Sequence, residues 1–238
     1  MSESIQYIER DTKLVQTFNR FKKKYQHLYP ERAWNFIEKE FYRGMRSYRI
    51  PDILMQVYSE LGISNKGSSF YKKHLQLIKS IFPLEGNILE VGSGYIPALA
   101  NLIANEQLKI GKGTITIYEP LLVDMTPKYP NMTLHKEYFN KLVDISKYDL
   151  IIGILPCEVT KTIIEQACIN KKDFYVALCG CVHIPDDIYY ALFGATELYQ
   201  QDIIDKTQAL VSEHNNGILE ITKLKNSQIP YPILYNRR

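Results

Sequence analysis

No stretch of this chain runs to the ~18 consecutive apolar side chains that a membrane-spanning helix needs, so no transmembrane segment is expected. Residues 1–10 are polar and lack the apolar core of a secretory signal. Cysteine is scarce: there are 4 in 238 residues, irregularly spaced. That is too few and too scattered for a disulfide framework. These absences together point to a cytoplasmic protein with no membrane partner, in which the glycosylation-like triplet Asn131-Met132-Thr133 carries no meaning. Internal repeats, low-complexity tracts and recognised nucleic-acid motifs are missing too.

What is present suffices for one sizeable core: 45% of residues are hydrophobic and 12% aromatic. The formal net charge of +3 is unevenly placed, with 15 Lys and Arg against 8 Asp and Glu up to Phe82, and 14 against 18 beyond it. A basic front on an acidic body suits an anionic partner, although basic helices also serve simply as solvated faces. The front reads as helices over residues 12–28, 34–46 and 53–61. Leu14, Val15, Phe18, Phe21 and Tyr25 share one face of the first. Lys39, Arg43 and Arg46 share a face of the second. Residues 65–69, Asn-Lys-Gly-Ser-Ser, are the best linker. An amphipathic helix follows over 70–82. The division is therefore a basic helical segment over 1–66, acting as a lid or a substrate-binding surface, and an α/β domain over 67–238. The aromatic residues of the front fit a core stripe or a stacking surface for RNA bases.

From Gly86 the pattern becomes strand, helix, strand. Ile88, Leu89 and Val91 form a buried strand. Gly92 and Gly94 allow a sharp turn with open backbone N–H groups. Pro97 suits the first turn of the next helix, which runs to about Gln107. Strands are expected over 114–118, 132–136, 148–157, 173–181 and 218–224, and helices over 121–128, 160–168, 188–193 and 203–213. The tail over 229–235 carries Pro230 and Pro232, so it reads as an edge strand or an extended arm.

Glu90 just before the glycines would repel a pyrophosphate, but it can accept hydrogen bonds from hydroxyls or attract an ammonium group. The series Glu90-x-Gly92-x-Gly94-x-Ile96 resembles the first motif of the class I S-adenosylmethionine-dependent methyltransferases, with isoleucine where that family has its third glycine. The resemblance covers roughly the last two-thirds of the chain. It implies a doubly wound, mostly parallel α/β sheet behind the N-terminal helical segment. It also implies S-adenosylmethionine as cofactor and S-adenosylhomocysteine as product. Glu119, at the end of the second strand, matches the acid that holds the ribose hydroxyls. Ser93 and Tyr95 belong to the glycine turn, and Glu137 and Tyr138 stand where the family reads the adenine. Leu155-Pro156-Cys157-Glu158 is the exit of the fourth strand, where the family carries its reaction-side residues. The Asn/Asp-Pro-Pro-aromatic signature of nucleic-acid amino methyltransferases is not there.

Cys157, Glu158 and His183 are the candidates for contact with the acceptor; His183 or Glu158 could take a proton from it. Cys179, Cys181 and His183 alternate and could converge with Cys157. That set resembles a Cys3His zinc site without its spacing, so plain packing is the favoured reading and no metal is assigned. The reading is thus a methyltransferase whose acceptor is left open between RNA, met through the basic helices, a protein side chain and a small molecule. Two alternatives use the same pocket: transfer of the aminocarboxypropyl chain, as in nicotianamine synthase-like enzymes, and a non-catalytic binding module. A nicotinamide-dependent oxidoreductase is disfavoured, because Pro97 stands where that fingerprint needs glycine.

Overall fold

The computed structural model describes residues 66–94, 96–122, 125–179, 196–224 and 231–238, together with residues 15, 16, 18–20, 22, 23, 31 and 38. The chain divides into two compact units, Met1–Ser69 and Phe70–Arg238. In the first, the described residues are helical, Phe18 is fully buried, and Lys22 pairs with Glu38.

Helix α1 (Lys66–Ile81), which belongs to the second unit from Phe70 onward, leads into strand β1 (Asn87–Val91). Next come α2 (Ala98–Ile110), β2 (Thr114–Tyr118), β3 (Met132–His135), β4 (Leu150–Ile154), α3 (Thr160–Ile169) and β5 (Asp173–Ala177). The chain ends with α4 (Thr196–Glu213), β6 (Ile218–Thr222) and β7 (Ile233–Arg237). The seven strands form one sheet in the order β3-β2-β1-β4-β5-β7-β6. β1 to β5 pair in parallel, and β7 runs antiparallel to both its neighbours. This is the doubly wound, mostly parallel α/β sheet that the sequence implies.

Central strands covered on both faces need apolar residues throughout, and β4, Leu-Ile-Ile-Gly-Ile, is buried along its whole length. One core cluster joins Leu89, Ile151 and Phe174 of the sheet to Ile163 and Ala167 of α3 and Tyr199 and Ile203 of α4. On the other face, Gln107 of α2 donates through Nε2 to the carbonyls of Leu84 (2.8 Å) and Gly86 (3.1 Å), tying the helix to the approach to β1.

Three expectations are corrected. Residues 66–69 are the first turn of α1 rather than a linker, because Lys, Gly and Ser are tolerated where the amphipathic pattern of 70–82 already nucleates the helix. The segment 121–128 forms turns and bends in its described part. Pro120 and Pro127 leave too few residues for a packed helix. The C-terminal strand is interior to the sheet: β7 pairs with β5 on one side and β6 on the other. Pro230 and Pro232 precede it, so none of its ladder donors is lost. Residues 188–193, expected to be helical, lie outside the described residues.

Candidate functional site

The carboxyl end of β1 is a turn held by two carboxylates. Glu90 pairs in register with Ile117 of β2, so Glu119, two residues on, faces the same side of the sheet. Gly92 N–H donates to the Tyr118 carbonyl at 3.1 Å, and the chain then leaves the strand through Gly92 (φ 73°) and Gly94 (φ 76°). Both values lie in the left-handed region that glycine enters without strain. Glu119 Oε2 accepts the Gly94 N–H at 2.8 Å, and its Oε1 accepts the Leu121 N–H at 2.8 Å. Glu90 Oε2 accepts the Ala100 N–H at 3.0 Å. Helix α2 has Pro97 as its N-cap and no side-chain cap of its own. Glu90 therefore satisfies one of the amide groups that the helix start leaves open.

Both acids are nearly sealed from solvent, Glu90 at 1% and Glu119 at 5% exposure. Burial pushes the Glu90 carboxyl up to about 8, and the nearby Glu119 charge adds to the rise, against the bond from Ala100. Burial also raises Glu119, against the bonds from Leu121 and Gly94. Among the described residues neither acid forms a salt bridge with a cation. Two buried carboxyl groups without a positive partner therefore line the mouth of an amide-lined turn, and Glu90 is mostly protonated at neutral pH until a cation stands beside it.

The exit of β4 closes on the same turn. A Cβ at Gly92 would lie 3.1 Å from Cα and Cβ of Pro156, and one at Gly153 would lie 2.9 Å from Pro156 Cγ. To reach this position the chain passes through Leu155 at φ 53°, a left-handed value that costs a non-glycine residue about 1–2 kcal/mol. The Leu155 N–H is satisfied by the Ala177 carbonyl at 2.9 Å. Ser93 is buried inside the turn. Beyond β2 and β3, Tyr118 stacks on His135 with centroids 4.4 Å apart, and Phe139 meets Tyr118 edge-on. Glu137 and Tyr138 follow β3 at the surface, Tyr138 with 74% of its area exposed.

The structure thus brings Glu90, Gly92, Ser93, Gly94, Glu119, Leu155 and Pro156 to the carboxyl edges of β1, β2 and β4. Glu158 lies next to them in the short 3-10 helix Cys157–Val159 with its side chain exposed. Tyr95, Cys181, His183 and the side chain of Cys157 lie outside the described residues. Cys179 is buried without a disulfide, and among the described residues no cluster of His, Cys, Asp and Glu is placed to hold a metal ion.

Sequence reasoning missed His74 and Tyr175. His74 Nδ1 lies 2.7 Å from the Tyr175 hydroxyl, and both side chains are buried. The available signal was spacing: Phe70, His74 and Ile78 recur every four residues, which puts the imidazole on the apolar stripe of α1.

The strand order, with its single reversed strand between β5 and β6, gives the doubly wound, mostly parallel α/β fold that the residues at 90–96 imply. No family model matches the sequence, and no curated protein matches it. Among solved structures, it is similar to a candidate S-adenosyl-L-methionine-dependent methyltransferase of Methanococcus maripaludis, at 12% identity over 77% of this chain and 91% of that one, with a TM-score of 0.47. It is similar as well to Aeropyrum pernix fibrillarin in complex with natively bound S-adenosyl-L-methionine, at 13% identity over 70% and 75%, TM-score 0.43. Human N-acetylserotonin methyltransferase in complex with the same compound matches at 15% identity over 90% and 69%, TM-score 0.42. No helix among the described residues is long and apolar enough to cross a membrane.

Proposed function

We propose that this chain binds S-adenosylmethionine at the glycine turn after β1 and transfers its methyl group to an acceptor at the edge of β4. The observation that carries the reading is the pair Glu90 and Glu119, buried on one face of adjacent strands and without a cationic partner among the described residues. Their chemistry fits this cofactor. A carboxylate is the strongest neutral-pH acceptor for paired ribose hydroxyls, because charge-assisted bonds are about twice as strong as neutral ones. A second carboxylate offsets the positive charge of an ammonium or sulfonium group. A dinucleotide pyrophosphate would make ionising either acid more costly and gain nothing from them.

In this reading Glu119 holds the ribose through the oxygen lone pairs that its two amide bonds leave free. Glu90 keeps the start of α2 in place and becomes a negative charge below the turn when the bound cation favours its ionised form. Gly92 and Pro156 keep the cleft narrow, since their contact leaves no space for a side chain at position 92. When bound, the cofactor supplies an electrophilic methyl group. The protein's task is then to align an acceptor with it and exclude water, and alignment alone contributes much of the rate. Glu137 and Tyr138 stay proposed for the adenine, and Cys157, Glu158 and His183 for the acceptor side.

Calorimetry with S-adenosylmethionine and S-adenosylhomocysteine tests the reading. Binding of both in the micromolar range is expected, and no heat with either would overturn it. Incubation with methyl-labelled cofactor and fractionated extract then identifies the acceptor. Methylthioadenosine as product, in place of S-adenosylhomocysteine, would assign transfer of the aminocarboxypropyl chain instead.

A further inference from the structure

Glu90 sits where its own charge is disfavoured. It lies on an interior strand and is 1% exposed. At its register β1 meets Ile117 of β2 and Ile152 of β4, both apolar and fully buried. Among the described residues, the charge that bears on it is Glu119, a second acid, from the end of β2. Helix α2 brings no titratable side chain before Glu106, which Lys79 and Lys109 hold. The exit of β4 adds Glu158, which is exposed. The one donor that reaches Glu90 among the described residues is the Ala100 N–H, at Oε2.

One amide bond is less than a buried carboxylate needs, so the empty pocket keeps Glu90 neutral. Its carboxyl, pushed up to about 8, holds a proton at neutral pH. That proton matters to the fold because of what Oε2 does. Ala100 is the third residue of α2, and the N–H at that position is one that a capping side chain takes. The helix has no side-chain cap of its own, and Glu90 stands in for it from another element. A bond to an ionised acceptor is about twice as strong as one to a neutral acceptor. How firmly β1 holds the start of α2 therefore varies with the charge on this single carboxyl.

We infer that Glu90 is a latch worked by a proton: protonated, it holds the start of α2 loosely, and when a cation enters beside it the proton leaves for solvent and the carboxylate draws the Ala100 N–H tight. The O–H bond of the carboxyl breaks, its electron pair stays on the carboxylate, and the incoming positive charge replaces that of the departing proton. The net charge of the pocket is unchanged, so the exchange avoids a buried, unpaired anion at every stage. A unit charge at contact changes the acid constant of such a group about a thousandfold, enough to remove its proton at neutral pH. Glu90 thus acts as a positioning residue, setting α2 firmly only once the turn is occupied. That the cation is carried by S-adenosylmethionine rests on the methyltransferase reading; the latch itself does not, because alkaline pH works it in the empty pocket.

The test uses the full chain labelled with 15N and reads the Ala100 amide proton by NMR, which moves downfield when its acceptor becomes charged. In the free protein this signal should titrate with a midpoint near about 8. A midpoint in the ordinary carboxylate range, or no movement between about pH 6 and 9, would overturn the inference. Calorimetry at about pH 6.5, in buffers of different ionisation heat, then counts protons on binding; an α-amino group is already protonated there, so the count reports the protein. S-adenosylmethionine should release more than about half a proton per site and bring the Ala100 signal to its alkaline position. Glu90→Gln should bind without release, and Glu119→Gln, at saturation, should keep it. Release that survives Glu90→Gln and disappears in Glu119→Gln would assign the proton to the other acid and overturn the latch. The amide titration and the proton count decide the matter on the native chain even if a variant fails to fold. Cofactor binding with neither proton release nor movement of the Ala100 signal would sink this inference alone. An Ala100 titration near 8 without cofactor binding would sink the methyltransferase reading and leave the latch standing.

Discussion

Glu90 and Glu119 hold one turn from two strands: Glu90 takes the Ala100 N–H at 3.0 Å and Glu119 the Gly94 N–H at 2.8 Å. The two acids share a sheet face, and each is bonded to backbone donors. The turn between β1 and α2 is thereby clamped at its middle and its far end.

Removal of Glu119 should separate its two tasks. Glu119→Ala leaves the Gly94 and Leu121 amides without their acceptor and should cost about 1–3 kcal/mol of stability. Glu119→Gln keeps one acceptor but turns its amide nitrogen towards the other N–H, so it should recover only part of that loss. It should still lower cofactor affinity about tenfold or more, because the charge-assisted bonds to ribose are gone. Urea titration and calorimetry on both variants check this.

Stability should fall as pH rises. The Glu90 carboxyl titrates near 4.5 when unfolded and near 8 when folded, so between these values the folded state holds a proton that the unfolded state has lost. Stability is then fullest below about 4.5 and declines up to about 8, with a slope of at most about 1.4 kcal/mol per pH unit. Glu90→Gln should flatten that decline. On the proposed reading, the sulfonium cation favours ionised Glu90. Affinity for S-adenosylmethionine should therefore rise with pH towards about 8, and more steeply than affinity for S-adenosylhomocysteine, which lacks the sulfonium charge. Thermal melts and calorimetry across this range measure both slopes.

Gly92→Ala should be harmful twice over. It places an L residue at φ 73° and puts a Cβ 3.1 Å from the Pro156 ring and backbone. Left-handed strain at such a site costs about 1–3 kcal/mol. Pro156 cannot yield without moving the exit of β4. A lowered melting temperature together with lost cofactor binding is the expected result.

Asn236→Ala should destabilise the domain without touching the site. Asn236 Oδ1 accepts the Phe174 N–H at 2.7 Å, and its Nδ2 donates to the Asn216 carbonyl at 2.7 Å, with the whole residue buried. Two buried backbone groups lose their partner, an expected loss of about 2–4 kcal/mol in a urea titration. Asn236→Asp restores the acceptor alone and should recover part of that loss.

Consecutive residues by themselves determined the turn at 90–97 and, apart from the segment 121–128, the succession of strands and helices from Asn87 to Ile169. Those signals are local: apolar periodicity, paired glycines and a strand-ending acid all act within a few residues of one another. The class of the fold followed from them. Tertiary structure alone decided where β7 goes, since an interior place between β5 and β6 depends on ladder bonds to strands far away in the chain. It alone decided that Leu155 adopts a left-handed turn, because the reason is a proline that must reach Gly92. The pairing of His74 with Tyr175 across 101 residues is likewise invisible to spacing. A helical period tells which face is buried; only packing tells what that face meets.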